Sequence, residues 1–197
     1  MENPDSWLDT EITSRPLTAL VFFRGNWCPF CQGYLRELSG AFLSDLRAAG
    51  GELIGITAQS ESGAEKAHED WGLTFPVYSD PSNSLADRFG VAITPKENTP
   101  LAKSPDEYPN GMAQPGLVIL NQAGETLVHW AINPGKANHN GATDRPLPSV
   151  IWAALQSALN GDGNVTLEGP RLDPAWLKVH YPDAYSVLEA MMAGRAS

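Results

Sequence analysis

The sequence is poor in cysteine, poor in basic residues and free of long apolar runs. Two of its 197 residues are cysteine, and 23 Asp and Glu outnumber 13 Lys and Arg, which leaves a net charge of −10. This acidic balance argues against nucleic acid and against an anionic membrane surface as partners. No apolar run reaches the roughly 18 residues of a spanning helix, so the sequence predicts no membrane-spanning segment.

The N-terminal region also lacks the features of a secretory signal. Residues 1–15 contain no apolar core segment and carry four acidic side chains, Glu2, Asp5, Asp9 and Glu11. We therefore predict that the protein works in the cytoplasm. In that reducing compartment, an isolated pair of neighbouring cysteines is more typical of catalysis than of a structural disulfide.

Both cysteines lie in a single tetrapeptide, Cys28-Pro29-Phe30-Cys31, between an apolar run and a segment with helical periodicity. The unpaired amides at the start of a helix favour a negative charge, so we predict that Cys28 ionises more readily than a free cysteine. Because the thiolate is the nucleophile, Cys28 is the predicted attacking residue. Cys31 follows one turn later and is predicted to resolve a mixed disulfide or a sulfenic acid on Cys28.

A zinc site is an alternative interpretation of the cysteine pair. Tetrahedral zinc needs two further ligands at suitable spacing, and the sequence has no third cysteine. The histidines are scattered along the chain, at His68, His129, His139 and His180. A purely structural disulfide is also disfavoured, because such a short ring restrains little chain entropy. We therefore predict a redox dithiol, with no metal and no organic cofactor.

Strand-like and helix-like segments alternate along the first half of the chain. The almost uninterrupted apolar run Leu17 to Phe23 predicts a central strand that is buried on both faces. One helix is predicted from Cys31 to a stop at Gly50-Gly51, and Leu53 to Thr57 predicts a second, parallel strand. The next predicted elements are a helix opened by the capping box Ser62-Gly63-Ala64-Glu65 and closed by Gly72, a strand near Phe75 to Ser79, and a helix with Asp80 as N-cap and Pro81 as its first residue.

The second half of the chain is less regular. Residues 91–115 are punctuated by prolines and predict a long loop. The later predicted elements are a hairpin from Gly116 to Leu120 and Thr126 to Ile132, a helix from Pro148 to Asn160 with Ile151, Trp152, Leu155 and Leu159 toward the sheet, and short tail helices starting at Asp173-Pro174 and Tyr181-Pro182. We expect a redox domain over residues 1–160 and a C-terminal extension, residues 161–197, packed on it.

This order of elements is that of the thioredoxin fold, and two motifs make the sequence resemble one branch of that superfamily. The motifs are Arg24-Gly25-Asn26-Trp27-Cys28-Pro29-Phe30-Cys31, and Phe75-Pro76-Val77-Tyr78-Ser79-Asp80-Pro81 followed by Arg88-Phe89-Gly90-Val91. They resemble the peroxiredoxin-like group of alkyl hydroperoxide reductases and thiol-specific antioxidant proteins. The resemblance implies an α/β, thioredoxin-like fold with a central mixed sheet flanked by helices, to which the tail adds a C-terminal helical extension. It also implies a thiol-disulfide oxidoreductase with peroxiredoxin-like antioxidant activity.

The resemblance assigns roles to several residues. Cys28 matches the peroxidatic position and Cys31 a resolving one. Gln114-Pro115-Gly116 resembles the place where thioredoxin-like proteins hold a cis-proline that faces the dithiol and receives an extended thiol substrate. An ordinary trans proline at a strand start is the open alternative. Trp27 is a candidate flat apolar contact for a partner, and Arg24 is a candidate positive charge at the substrate.

Two positions depart from the patterns of the related families. Peroxiredoxins typically carry Thr or Ser three residues before the peroxidatic cysteine, where the hydroxyl helps to orient the peroxide, and here that residue is Gly25. This departure argues against efficient peroxide reduction. Thioredoxins typically carry a buried acid six residues before the first cysteine, and here that residue is Phe22. The usual proton acceptor for disulfide reduction is therefore missing.

The predicted substrate is a peroxide or a disulfide, and the predicted electron donor is a thioredoxin-like protein or a low-molecular-weight thiol. A homodimer through aromatics such as Trp176 and Tyr185 is an alternative to packing of the tail on its own chain. Two other functions stay open. One is a glutaredoxin-like, glutathione-dependent disulfide reductase, since Cys-Pro-Phe-Cys also suits that chemistry. The other is a non-catalytic thioredoxin-fold protein that binds partners through residues 91–115 and the tail.

Overall fold

A mixed sheet forms the centre of the protein. The computed structural model describes residues 4–98, 107–135, 138, 140–169, 177–179 and 182–193. The strands are β1 Leu17–Phe23, β2 Gly51–Thr57, β3 Val77–Ser79, β4 Ile93–Thr94, β5 Met112–Ala113, β6 Gly116–Asn121, β7 Thr126–Ala131 and β8 Val165–Thr166. The helices are α1 Pro4–Thr13, α2 Pro29–Leu38, α3 Ala41–Ala48, α4 Glu61–Trp71, α5 Ser84–Arg88, α6 Pro148–Ser157 and α7 Pro182–Ala193.

Six strands form the main sheet, in the order β3-β2-β1-β6-β7-β8. Strands β1, β2 and β3 are mutually parallel, whereas β6 runs antiparallel to both β1 and β7. Strand β8 runs parallel to β7 at the edge, and β4 pairs with β5 in a separate antiparallel ribbon. This mixed sheet, covered by helices, is the thioredoxin-like α/β fold that the sequence predicts.

Strand β1 is buried along its whole length, as its apolar run predicts. Ala19, Val21 and Phe23 belong to the core that also contains side chains of α2, α3 and α6. Leu20 and Phe22 belong to a second core, with side chains of α1 and α5. Because alternate side chains of a strand point to opposite faces, the uninterrupted apolar run reflects helices on both faces of the sheet.

The single helix predicted from Cys31 to Gly50 is wrong, because the chain breaks into α2 and α3. Gly40, between them, has a ψ of −127°, which is not helical. Glycine weakens a helix interior, and the hydroxyl of Ser39 donates to the carbonyl of Leu35 at 2.9 Å at the end of α2. Both helices bury their apolar side chains in the same core, so the apolar stripe continues across the break. Periodicity alone therefore does not reveal it.

Two predicted helix starts are displaced. Helix α4 begins before the predicted capping box at residues 62–65, although Gly72 ends it in a left-handed conformation as predicted. Helix α5 begins at Ser84, later than predicted. The Asp80 carboxylate nevertheless accepts hydrogen bonds from two backbone N–H groups at the start of α5, at 3.1 and 3.0 Å. Asp80 therefore provides hydrogen-bond acceptors for unpaired N–H groups in the first turn of α5, although Asp80 itself precedes the helix.

The predicted hairpin forms from β6 and β7, and α6 begins at Pro148 as predicted. Ile151 and Leu155 of α6 are fully buried. The predicted burial of Leu159 is wrong, because its side chain is 53% exposed. Residues 158–162 form a π-helical turn, in which the wider spacing takes side chains out of the register of the preceding α-helix.

The tail contains a helix where one is predicted. Helix α7 begins at Pro182 and contacts α2. Tyr185 of α7 packs against the core that contains α2. The other predicted start, Asp173-Pro174, and Trp176 lie outside the described residues. The division of the chain into a redox domain and an extension stays a prediction.

The stretch predicted as a long loop, residues 91–115, contains the short ribbon of β4 and β5. Residues 99–106 of this stretch lie outside the described part of the chain. None of the helices in the described ranges is both long enough and apolar enough to cross a lipid bilayer.

Candidate active site

Cys28 lies at the junction between β1 and α2. It is the N-cap residue of α2, with extended backbone angles of φ −88° and ψ 104°, and Pro29 follows within the first turn. Its Sγ accepts a hydrogen bond from the backbone N–H of Cys31 at 3.3 Å. Because this N–H is one of the unpaired amides of a helix start, the sulfur lies where a negative charge is stabilised. The helix start predicted at the cysteine pair is confirmed.

Cys28 and Cys31 form a disulfide, with their Cα atoms 5.2 Å apart. Both residues belong to the main hydrophobic core and are 2% and 1% exposed. The two sulfurs therefore face each other, as a redox pair requires, but they are covered in the oxidised protein. A reducing thiol has little direct access to this closed form, so reduction requires the covering side chains to move.

Gly25, at the position of the peroxiredoxin threonine, has no room for a side chain. Its φ is +156°, and an added Cβ would lie 2.7 Å from Cδ of Gln59 and closer still to Gln59 Oε1 and the Tyr108 hydroxyl. Gln59 is held in place because its Oε1 accepts the backbone N–H of Asn26 at 2.7 Å and its Nε2 donates to Glu107 at 3.1 Å. Polar groups from distant parts of the chain therefore fill the space beside Gly25.

Tyr108 connects the loop before Cys28 to a distant segment. Its hydroxyl accepts the indole N–H of Trp27 at 2.7 Å and donates to the backbone carbonyl of Arg24 at 2.9 Å. Burial raises the pKa of this hydroxyl well above its usual range, so it stays protonated and can donate at any physiological pH. These bonds fix the backbone between Arg24 and Trp27. Trp27 itself is half-buried, so part of its ring remains accessible.

Arg24 is buried, with 7% of its surface exposed. Its Nε and Nη2 both donate to Gln114 Oε1, at 3.0 and 2.8 Å, and Nη2 also donates to the backbone carbonyl of Asn140. Burial lowers the pKa of Arg24 to about 10. The structure thus brings together Arg24 and Gln114, two candidate residues that lie 90 positions apart in the sequence.

Pro115 follows Gln114 directly before β6. The peptide bond before Pro115 is trans, so the cis alternative is wrong. The backbone N–H of Gln114 donates to the carbonyl of Ala92 at 2.8 Å, and the carbonyl of Pro115 accepts the N–H of Ile132 at 3.0 Å. Both bonds are strand-like pairings that an extended chain makes, which is consistent with a proline at an ordinary strand start.

Arg145 is a buried cation beside the second cysteine. Its Nη2 donates to Cys31 Sγ at 3.7 Å, and its Nη1 donates to the carbonyls of Phe30 at 2.8 Å and Ala142 at 3.4 Å. Its guanidinium carbon lies 5.5 Å from the centre of the Tyr34 ring. A guanidinium in contact with a redox sulfur is part of the site.

Sequence reasoning missed three residues of this site: Gln59, Tyr108 and Arg145. Each lies more than 30 positions from its partner in the CxxC segment, so no local pattern marks it. The one indirect signal is Gly25, whose missing side chain leaves space that another group has to fill.

Phe22, at the position of the thioredoxin acid, packs in the second core, away from the core that contains the two cysteines. A phenylalanine side chain has no basic atom, so this position offers no proton acceptor for the cysteines. Within the described ranges, no group of three or more His, Cys, Asp or Glu side chains is arranged to hold a metal ion.

Comparison with known families shows the family to which the chain belongs. The sequence profile of the AhpC/TSA family matches residues 11–127, which is more than half of the chain. The chain belongs to the AhpC/TSA family. As a member of that family it is a peroxiredoxin-like thiol oxidoreductase, and the family implies a peroxide as substrate and a thiol as reductant. No curated protein matches the sequence significantly.

Solved structures share the fold of this AhpC/TSA protein. Peroxidoxin BcpB from Mycobacterium tuberculosis is 15% identical, with 78% of this chain and 84% of its own covered and a TM-score of 0.52. The bacterioferritin comigratory protein of Xanthomonas campestris is 14% identical, with coverages of 78% and 82% and a TM-score of 0.53. PrxQ from Xylella fastidiosa, solved as a Cys-to-Ser mutant, is 14% identical, with coverages of 78% and 81% and a TM-score of 0.53. At these identities the similarity shows the fold.

Proposed function

We propose that the protein reduces a peroxide or a disulfide through a dithiol–disulfide cycle, with Cys28 as the attacking thiolate and Cys31 as the resolving residue. The observation that carries this proposal is the hydrogen bond from the Cys31 N–H to the Cys28 sulfur at the start of α2. The amides and the dipole of a helix start favour the anion and so lower the pKa of the thiol. A pKa of about 7 instead of about 8.5 would raise the thiolate fraction at neutral pH from about 3% to about half.

The two substrate classes lead to the same oxidised product. With a peroxide, the Cys28 thiolate attacks the terminal oxygen, the O–O bond breaks, and an alcohol or water leaves as Cys28 becomes a sulfenic acid. Cys31 then attacks the Cys28 sulfur and releases water. With a disulfide, Cys28 forms a mixed disulfide and releases one thiol, and Cys31 releases the second. Either way the protein gives up two electrons, which an external dithiol or two monothiol molecules return.

Trp27, Gln114, Pro115 and Arg24 form the proposed substrate side of the site. Support comes from the hydrogen bonds between Arg24 and Gln114, and from the position of the half-buried Trp27 directly before Cys28. Because the guanidinium of Arg24 is hydrogen-bonded to the side chain of Gln114, we expect these two buried residues to hold the substrate side of the site in a fixed shape. The accessible part of Trp27 is the expected flat contact for a substrate or partner.

We assign the reductant to a thioredoxin-like protein or a low-molecular-weight thiol, and the cycle to the cytoplasm, because a reducing medium regenerates the dithiol. A homodimer stays a prediction. Packing of Tyr185 against the core of its own chain favours tail packing over a dimer contact at this residue.

A single-turnover experiment tests the proposal. The reduced protein is mixed with hydrogen peroxide, an organic hydroperoxide, glutathione disulfide or insulin, and tryptophan fluorescence and intact mass are followed. We expect wild type to form one internal disulfide, Cys28→Ser to be unreactive, and Cys31→Ser to stop at a sulfenic acid or a mixed disulfide.

The same experiment separates the alternatives. Equal reaction of Cys28→Ser and wild type would overturn the assignment of Cys28. Exclusive accumulation of a glutathione adduct on Cys31→Ser would indicate a glutaredoxin-like reductase instead. Reduced wild type that reacts with none of the four oxidants would indicate a binding protein.

A further inference from the structure

Among the described residues, the hydrogen bond seen to Cys31 Sγ comes from a cation, Arg145, and no base is seen bonded to this sulfur to remove its proton. Phe22 occupies the position of the thioredoxin acid and packs in the second core. Cys31 is 1% exposed, so water cannot serve this purpose freely. Burial in apolar surroundings raises the pKa of a thiol, which would leave Cys31 protonated and slow as a nucleophile. An efficient cycle therefore requires some other means of ionising Cys31.

Arg145 lies where its positive charge can promote the ionisation of Cys31. The side chain is 5% exposed, and its Nη2 points at Cys31 Sγ from 3.7 Å. The Phe30 carbonyl, one residue before Cys31, accepts from Nη1 at 2.8 Å and fixes the guanidinium against the start of α2. Pro146, the residue after Arg145, is also tied to α2, because the hydroxyl of Tyr34 on this helix donates to the carbonyl of Pro146 at 3.0 Å. The cation is thus anchored beside the sulfur.

We propose that Arg145 holds Cys31 as a thiolate in the reduced protein, so that resolution needs no base. This inference rests on the proposed dithiol cycle. A nearby cation lowers a thiol pKa, and it does so strongly where little water screens the charge. In the disulfide Cys31 is neutral and contacts the guanidinium weakly. On reduction the anion gains a full charge-assisted hydrogen bond.

Among the described residues, three other titratable groups on the packed elements carry no positive charge and therefore do not replace this effect. Tyr34 faces Arg145 and stays protonated, because burial raises its pKa well above the usual range. Glu37 lies on the same helix as Tyr34, and its negative charge raises the pKa of Tyr34 further. Tyr185 on α7 also has a raised pKa. Arg145 is the cation for which a contact with the Cys31 sulfur is seen.

The resolving step then balances without proton transfer to the protein. The Cys31 thiolate attacks the Cys28 sulfur of a mixed disulfide, the Cys28–S–R bond breaks, and a thiolate leaves. The Cys28–Cys31 bond forms, so the protein is oxidised by two electrons over the cycle and the substrate disulfide is reduced to two thiolates. With a sulfenic acid on Cys28, the leaving group is hydroxide, which takes a proton from a buffer acid in the solvent and leaves as water.

Reaction with 5,5′-dithiobis(2-nitrobenzoate) separates the two thiols. Attack by Cys28 releases one coloured nitrothiolate, and attack by Cys31 on the mixed disulfide releases the second. Both phases are followed by stopped flow from pH 5 to 10 for wild type, Arg145→Met, Arg145→Lys and the control Arg47→Met. Arg47 is an exposed residue of α3 that pairs with Glu52, and the proposal gives it no part in the chemistry.

For wild type we expect the second phase to rise with a midpoint below about 7.5, and for Arg145→Met with a midpoint above about 8.5. At pH 6 the second phase of Arg145→Met should be at least about threefold slower, because the smaller thiolate fraction outweighs the greater intrinsic nucleophilicity of the more basic thiolate. For the same reason the plateau of Arg145→Met at high pH should be no lower than that of wild type. Arg145→Lys should restore part of the shift and Arg47→Met should match wild type. A purely structural role would instead lower the plateau equally in the Lys and Met variants.

A second measurement needs no change at Arg145. In reduced Cys28→Ser, the thiolate absorbance of Cys31 near 240 nm should titrate below about 8.5. A midpoint above that value, or a second phase in wild type that follows the pH dependence of Arg145→Met, would overturn the role of Arg145. Absence of the first phase in wild type would instead refute the proposed function, so the two failures are distinguishable.

Discussion

Restoring the family threonine at Gly25 should damage this protein rather than improve it. The Gly25→Thr variant adds the hydroxyl that peroxiredoxins use near their peroxide. Here, however, the new Cβ would lie 2.7 Å from Cδ of Gln59 and closer to two polar atoms, at a φ of +156°. Neither neighbour can move freely, because Gln59 and Tyr108 are buried and hydrogen-bonded.

The magnitude follows from the bonds that have to break. Moving Gln59 and Tyr108 removes the hydrogen bonds that they make to the N–H of Asn26, the indole of Trp27 and the carbonyl of Arg24. Each is worth about 1 kcal/mol net. The unfavourable φ adds about 1–3 kcal/mol. The expected loss of about 4–6 kcal/mol is a large part of the roughly 5–15 kcal/mol by which a domain is stable.

Urea unfolding of the oxidised protein measures this loss. With an m-value of about 2 kcal/mol/M, the urea midpoint of Gly25→Thr should fall by about 2–3 M. Gly72→Thr is the matched control, because Gly72 has a φ of +61° but nothing within 4 Å of an added Cβ. It should lose about 1–2 kcal/mol from backbone strain alone. A Gly25→Thr variant as stable as wild type, and faster with hydrogen peroxide, would refute the argument.

Three further changes test other contacts. Tyr108→Phe removes the partner of the half-buried Trp27 indole N–H and of the buried Arg24 carbonyl, so urea unfolding should show a loss of about 1–3 kcal/mol; a change within about 0.5 kcal/mol would contradict the bonding seen. Arg24→Met removes the donors to a buried amide oxygen and a carbonyl and should cost about 2–4 kcal/mol by the same assay, more than a change at an exposed arginine. Leu155→Ala should cost about 2–5 kcal/mol and Leu159→Ala within about 0.5 kcal/mol; equal losses would show that the helix continues as the sequence predicted.

The order of the elements could be predicted because local patterns report on it. The apolar run of β1 indicates a strand that is covered on both faces, and Gly72 marks the end of α4 by its conformational freedom. The break at Gly40 could not be predicted from the apolar stripe, since α2 and α3 bury the same face. The π-helical turn after α6 likewise leaves no periodic signal, so Leu159 looked buried.

The site divides in the same way. Cys28 and Cys31 lie three positions apart in the sequence, so their placement at a helix start could be predicted from the strand and helix around them. Gln59, Tyr108 and Arg145 reach the same place through the folding of distant segments. Gln and Arg are mostly exposed in proteins, so the residue types do not announce that Gln59 and Arg145 are buried. The contacts of all three residues depend on long-range packing that one sequence does not reveal.

The central claim is that Cys28 is a thiolate at rest because the start of α2 stabilises it. The most direct test is the pH dependence of alkylation of Cys28 by iodoacetamide in the reduced Cys31→Ser variant, where Cys28 is the single thiol. A midpoint near 7 is the predicted result. A midpoint at or above about 8.5, the value of a free cysteine, would contradict the account.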